Sequence, residues 1–154
     1  MVISRAQEWT MKTKVLVLVP YTVPPDRISD YVHSQLLPHW QCDDETPIAG
    51  RFDYLVGPLD NLFNDPISEG RLPPSIRRAY AGNICEMQRL PADVEAAAVV
   101  TSDGAWSDIY GFGWKLTREP SDENSEAWRE WDAHFRELLS HNADCWVVAV
   151  WAHS

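Results

Sequence analysis

The stretch that constrains the fold most reads Lys14-Val-Leu-Val-Leu-Val-Pro20. It is apolar or β-branched at almost every position, which is typical of a strand buried on both faces in the middle of a sheet. A second run of this kind, Cys145-Trp-Val-Val-Ala-Val-Trp-Ala152, lies near the other end of the 154-residue chain. We expect the two strands to lie centrally in one sheet or next to each other.

Two segments between these strands have helical periodicity. The first begins at Pro24-Pro25-Asp26, because proline and an acid suit the first turn, and it should end at Pro38. The second runs from Ser121 or Ser125 to about His141, since serine can cap a helix. The apolar stripes are Ile28, Val32 and Leu36 on the first helix, and Trp128, Trp131, Phe135, Leu138 and Leu139 on the second.

The remaining elements are shorter. Asp103-Gly104 between two strand-like runs predicts a hairpin, because glycine adopts a positive φ without steric conflict. We further expect a strand over 51–56, a long irregular segment over 59–74, and a helical turn followed by a strand near 83–87. This order predicts a single α+β domain with a mainly antiparallel sheet, two helices on one face and a ferredoxin-like, split β-α-β arrangement. Residues 1–12 are expected to form a leader outside this domain.

Composition excludes several classes of protein. The chain has 23 acidic and 13 basic residues, a net charge of −10, which argues against direct binding to nucleic acid or to an anionic membrane. Its longest apolar run, 15–20, is too short to span a bilayer. The cysteines Cys42, Cys85 and Cys145 are widely spaced, which favours reduced thiols in a cytoplasm over a disulfide framework.

Tryptophan is unusually abundant, with eight residues. Most should pack between helix and sheet, each with its ring N–H on a carbonyl oxygen. We expect Trp40, Trp106 and Trp114, near the edges of loops, to be anchors for a protein partner, because aromatic side chains dominate such interfaces.

Acidic residues cluster on the second predicted helix, where residues 119–137 hold seven acids and two arginines. Glu123, Glu126, Glu130 and Glu137 share the face opposite the tryptophans. Such a face is either simply solvated or presented to a basic partner, and spacing alone does not separate the two. The loop acids Asp43, Asp44 and Glu45 would join this partner surface.

Signals for chemistry are weak. His39 and Cys42 form one tight pair, which Asp43, Asp44, Cys85, Cys145 or His153 could complete in space. A closed zinc site usually needs two such pairs, so we expect no metal and no cofactor. The chain has no G-x-S-x-G, no phosphate-binding glycine loop and no H-E-x-x-H. The alternative to a binding protein is a small enzyme or ligand-binding domain. Its cleft would lie beside the hairpin, the 59–74 segment and the last strand, with Asp103 and His153 as polar members; Asp108, His134 and His141 are further candidates.

The last third of the chain resembles a family of small proteins from phages and bacterial mobile elements. The matching residues are Val99-Val-Thr-Ser-Asp-Gly-Ala-Trp106, Gly113-Trp114, Trp128 and His153, whereas Ser102 stands where the family pattern has proline. The resemblance implies an accessory protein working in a bacterial host's cytoplasm, and it supplies no catalytic residue. We therefore expect a non-enzymatic acidic protein, monomeric or homodimeric, that inhibits or modulates a basic host protein, including one that normally grips nucleic acid, by stoichiometric binding.

Overall fold

The protein's computed structural model describes residues 13–40, 54–114 and 122–153. Within these ranges the strands are β1 Thr13–Pro20, β2 Tyr54–Val56, β3 Ile84–Glu86, β4 Ala98–Val100, β5 Trp106–Asp108 and β6 Cys145–His153. The α-helices are α1 Ile28–Leu36, α2 Pro66–Glu69, α3 Pro74–Ala79 and α4 Asp122–Ser140. No helix in the described ranges has the length and apolar character needed to cross a bilayer.

One mixed sheet contains all six strands in the order β2-β6-β1-β4-β5, with β3 also paired to β6. β1 pairs antiparallel with β6 along its whole length and parallel with β4. β2 and β3 lie end to end on the outer edge of β6, opposite 151–153 and 146–148 respectively. An α+β fold with a mainly antiparallel sheet is therefore confirmed, and so is the adjacency of the two most apolar strands.

The side chains of β1 point alternately into two separate hydrophobic cores, one on each face of the sheet. Leu16 and Leu18 belong to the core that contains Trp131 and Phe135 of α4. On the opposite face, the valines of β1 pack in a second core. That core includes Val15, Val17, Val19, Ile28, Val32, Leu36, Leu72 and Ile76, and so takes in α1 and α3. The molecule has three layers, and the prediction that both helices cover one face is wrong.

The direction of the chain crossovers explains this arrangement. From β1 the chain passes α1 and reaches β2 beyond β6, whereas from β5 it passes α4 and crosses β4 and β1 to reach β6. Each connection joins two strands that are parallel to each other, β1 to β2 and β5 to β6, and both connections step in the same direction across the sheet. Because β1 and β5 run in opposite directions, right-handed crossovers place α1 and α4 on opposite faces of the sheet. The ferredoxin-like order is also wrong, because β1 pairs in parallel with the first hairpin strand, β4.

Most other elements agree with the sequence. The hairpin of β4 and β5, the short helix α3 and the strand β3 are confirmed. Two boundaries differ: a 3-10 turn, Leu37–His39, continues beyond α1 through Pro38, and the 59–74 segment contains α2. Proline occupies the first turn in both places, where its missing N–H leaves no hydrogen bond unmade.

Candidate functional site

The turn between β4 and β5 packs against one flank of α1. The Tyr31 hydroxyl donates a hydrogen bond to the carbonyl oxygen of Ser102 at 3.0 Å. His39 Nε2 lies 3.0 Å from the carbonyl oxygen of Gly104. Because a carbonyl oxygen only accepts, Nε2 carries the proton in this contact. Tyr31 and His39 are eight residues apart, about two helical turns, so these contacts fix the hairpin both to the helix and to the 3-10 turn that follows it.

Trp106 forms the base of this junction. The His39 ring packs on the Trp106 ring with centroids 5.3 Å apart, and Trp106 Nε1 donates to Asp108 Oδ2 at 2.9 Å. Asp108 Oδ1 accepts from the backbone N–H of Gly111 at 3.0 Å. Asp108, a candidate catalytic acid from the sequence, is thus occupied in orienting Trp106 and in capping the next turn.

Two large apolar side chains project beside this junction. Leu37 is 61% exposed and Trp40 is 45% exposed, at the two ends of a turn closed by the hydrogen bond from the Trp40 N–H to the Leu37 carbonyl oxygen. His39 lies between them and contacts the hairpin. We call the group Leu37, Trp40, Asp103 and Trp106 the anchor surface. Two of the three tryptophans that the sequence marked as anchors, Trp40 and Trp106, therefore lie at one junction.

Asp103 supplies the charge at this surface. It is exposed, and its carboxylate accepts hydrogen bonds from the Thr101 hydroxyl and, at 3.3 Å, from the Ala105 N–H. These hydrogen bonds lower the pKa of Asp103 from its ordinary value of 3.8, and the one from Thr101 has the largest effect. The group is therefore a fixed negative charge at neutral pH.

The acidic face of α4 lies elsewhere. Glu126, Glu130 and Glu137 are exposed, and Trp131 and Phe135 on the opposite side of the helix are buried, as the spacing predicts. However, α4 covers the sheet face opposite α1, so its glutamates and Trp40 belong to different layers. Asp43, Asp44 and Glu45 lie outside the described residues, as does the side chain of Glu123.

Trp114, the third expected anchor, is half-buried and packs against the core on the α4 side of the sheet. It is therefore separate from the anchor surface. One tryptophan of α4, Trp131, shows the packing that we expected for most members of the set: it is buried, and its Nε1 donates to the Ala96 carbonyl oxygen at 2.8 Å.

The structure does not bring Asp103 and His153 together. Val100, which precedes the turn holding Asp103, is level with Val148 through Val17. His153 lies five positions further along β6 in the other direction, about 17 Å at about 3.4 Å per residue. The two residues occupy opposite ends of the sheet. Of the other polar candidates, His134 packs on the Phe112 ring at 5.1 Å, and His141 follows α4 at the surface.

The residues proposed as possible metal ligands are also dispersed. His39 contacts Gly104, Cys42 lies outside the described residues, and Cys85 and Cys145 are buried free thiols. Burial raises the pKa of Cys85 to about 12 and that of Cys145 to about 11, so both are protonated at neutral pH. Across the described parts of the chain, no three His, Cys, Asp or Glu side chains group as potential ligands.

The sequence analysis did not predict a buried polar network around Asp65. Asp65 accepts from the Ser68 hydroxyl and from Arg89 Nε, each at 2.7 Å, while the Ser68 hydroxyl oxygen accepts from the Glu86 N–H at 3.0 Å. Glu86 in turn accepts from Arg71 at 2.7 Å. These bonds fasten α2 and the loop around it to β3. The signal was Asp65-Pro66-x-Ser68, a helix start inside a segment that otherwise looks irregular.

The edge of β6 holds a further feature. A cavity of about 160 Å³ lies between α1, the end of α3 and the 55–58 segment, with residues 149–151 of β6 at its inner side. It resembles the expected cleft only in touching the last strand, since neither Asp103 nor His153 lines it.

The fold and these surfaces define a three-layer α+β protein with an exposed aromatic junction and an acidic helix. Comparisons with protein-family models, with curated proteins and with solved structures found no match.

Proposed function

We propose that this chain is a non-enzymatic binding protein that engages a basic protein partner through the anchor surface. The observation that carries the proposal is the exposure of Leu37 and Trp40 on a turn held rigid by His39. Interfaces draw most of their energy from a few aromatic and apolar anchors, and an anchor fixed before binding loses less conformational entropy.

Charge supports a basic partner. Asp103 puts an ionised carboxylate beside the aromatic anchors, and the whole chain carries a net charge of −10. Complementary fields accelerate encounter and exclude acidic competitors, while the apolar anchors slow dissociation. The acidic face of α4, on the other layer, then acts by long-range steering and not by contact.

The resemblance of the last third to phage and mobile-element proteins adds the biological setting of the proposal. The partner would be a host protein in a bacterial cytoplasm, and stoichiometric binding would inhibit or modulate it. Proteins that bind nucleic acid have the basic surfaces that this charge distribution fits, and counter-defence is one role for such an inhibitor.

Site-specific photocrosslinking tests the proposal. A photoreactive residue replaces Leu37, and in a matched control it replaces Leu59, which is also exposed (49%) but lies outside the anchor surface. We expect position 37 to capture one basic protein in a 1:1 complex and position 59 to capture none. The captured protein is then purified, and its affinity for the unmodified chain is measured by calorimetry.

Two substitutions separate anchoring from chance capture. We expect Trp40→Ala to weaken the complex by about 30-fold or more, as truncation of an interface hot spot does, with Leu59→Ala within about twofold of wild type. Equal affinities for the two variants would contradict the proposal, as would a captured protein that binds at no fixed stoichiometry.

Reversing Glu126, Glu130 and Glu137 to lysine tests the role of charge, because each reversal adds two positive charges and the set changes the net charge from −10 to −4. We expect the association rate to fall about tenfold at low salt and the dissociation rate to stay unchanged. An association rate that responds neither to this variant nor to salt would refute electrostatic steering.

A further inference from the structure

The cavity on the edge of β6 has a structural cause. β3 covers residues 146–148 of β6 and β2 covers residues 151–153, so only Ala149 and Val150 lie between the two short edge strands. The backbone carbonyl oxygen of Asn83, immediately before β3, accepts a hydrogen bond from the Ala149 N–H at 2.9 Å. Where one continuous strand would close the edge, the end-to-end arrangement leaves an opening that α1 and α3 frame.

The walls of this opening are mainly apolar. Val32 of α1, Leu55 and Pro58 after β2, and Val150 and Trp151 of β6 all line it. Its volume of about 160 Å³ is close to that of an engineered apolar cavity of about 150 Å³ that binds benzene. One aromatic ring fits a space of this size, whereas a nucleotide or a cofactor does not.

The polar groups at the cavity already have partners. Asn83 is buried, and its Oδ1 accepts from the Leu62 N–H at 2.9 Å. Ser29 is close enough to the Tyr80 hydroxyl to lower the pKa of that phenol, although burial, the larger cause, raises it. A neutral ring can therefore replace water there without leaving a buried donor or acceptor unpaired. His33, which is exposed, remains able to meet one polar substituent of the ring at the mouth.

The lining of the cavity offers no lysine or arginine to an anion. Asp30 is close enough to Tyr80 to raise the pKa of that phenol, although burial is the larger cause. Asp30 pairs with Arg27 at 3.2 Å, and both side chains are exposed. A carboxylate on the ligand would thus lose its water without meeting a lysine or an arginine among the residues that line the site.

We propose that this cavity binds a neutral compound or side chain with one small aromatic ring system, of the phenol or indole class. The site is on the flank of α1 opposite the hairpin and is independent of the anchor surface. The ring enters past Leu55 and Pro58 and lies against Val32, Tyr80 and Val150. The same ring chemistry has two sources, a free small molecule or a tyrosine or tryptophan side chain of another protein.

Titrations of the ¹⁵N-labelled full chain, followed by NMR, test the site with p-cresol, indole and 4-hydroxybenzoate. We expect p-cresol and indole to shift the amide signals of the lining residues with dissociation constants on the order of a millimolar, the range for ligands of this size. We expect 4-hydroxybenzoate to bind about tenfold more weakly. N-acetyltyrosinamide distinguishes the sources: binding tighter than p-cresol indicates a protein side chain, and weaker binding indicates a free compound.

Filling the opening supplies the decisive control. Ala79 lines the cavity at the exposed end of α3, and Ser75 is exposed on the same helix but does not line it. We expect Ala79→Leu to weaken p-cresol binding about tenfold and Ser75→Leu to leave it within about twofold, with circular dichroism showing both folded. The proposal is overturned if neither p-cresol nor indole binds, or if Ala79→Leu binds as wild type does. It is also overturned if the shifted amides lie away from the cavity.

Discussion

Replacing Trp131 with phenylalanine removes an indole that α4 buries against the sheet. Trp131 is 1% exposed, and its ring centroid lies 5.7 Å from that of Phe112 and 5.9 Å from that of Phe135. Its Nε1 donates to the carbonyl oxygen of Ala96, a residue that is itself buried. Phenylalanine keeps the aromatic contacts but has neither the donor nor the second ring.

Two contributions set the size of the effect. The Ala96 carbonyl oxygen loses its donor in a buried place, which costs about 1–2 kcal/mol. A void of roughly 40 Å³ at about 24 cal/mol per Å³ adds about 1 kcal/mol. We therefore expect Trp131→Phe to lower the free energy of unfolding by about 2–3 kcal/mol, which is a fall in Tm of roughly 5–10 °C for a chain of this size.

Urea unfolding followed by circular dichroism measures this loss, and Trp40→Phe is its matched control. The chemical change is the same, but Trp40 is 45% exposed, so we expect a change within about 0.5 kcal/mol. Equal losses in the two variants would refute the assignment of Trp131 to the core. A large loss for Trp40→Phe alone would mean that Trp40 serves stability and not binding.

Three further outcomes follow from single residues. Arg89 and then Ser68 lower the pKa of Asp65 below 3.8, so its stabilising effect is complete above that value and is lost as the pH falls from there through the folded-state pKa. Between about pH 4 and 2 the urea midpoint should therefore fall more steeply for wild type than for Asp65→Asn. The Cys85 thiol, buried with a pKa of about 12, should resist iodoacetamide at about pH 8 until urea unfolds the chain, and peptide mass spectrometry would detect early labelling that contradicts this. Gly82→Ala should destabilise more than Gly113→Ala, because both have a positive φ (+77° and +91°) but only at Gly82 does the new Cβ meet an atom held by another backbone, the Cβ of Asn61 at 2.8 Å; equal urea midpoints would count against that contact.

The parts of the fold that local patterns report were predictable. The runs 14–20 and 145–152 are apolar on both faces, and such a strand must lie inside a sheet covered on both sides. The period of the apolar residues in α4 correctly separated buried Trp131 from exposed Glu130. Asp103-Gly104 marked the hairpin because the turn needs a positive φ, which Gly104 has.

The arrangement of layers depended on information that no local pattern carries. Whether α1 and α4 share a face is decided by which strand each crossover reaches, and the decisive partner of β6, β2, has only three residues. The β1 sequence did indicate the arrangement of layers, because a strand with two apolar faces must be covered on both. Reading it as a requirement for helices on both faces would have excluded the ferredoxin-like arrangement.

The candidate site divides in the same way. The sequence singled out Trp40 and Trp106 by residue type, but only the pairing of His39 with both Gly104 and Trp106 brings them to one junction. Pairing Asp103 with His153 failed because the registers of β4, β1 and β6 place them at opposite ends. The cavity was invisible for a related reason: it exists only where two short strands meet end to end on β6.

The ladder between β1 and β6 also has a meaning for synthesis. Pro20 faces Cys145 and Thr13 faces Ala152, so contacts at the heart of the sheet join segments from the two ends of the described chain. During synthesis β1 lacks its longest partner, β6, until the last of these residues has left the exit tunnel of the ribosome, and pairings so distant in sequence form slowly. During translation the uncovered, valine-rich β1 is therefore open to capture by chaperones and to aggregation.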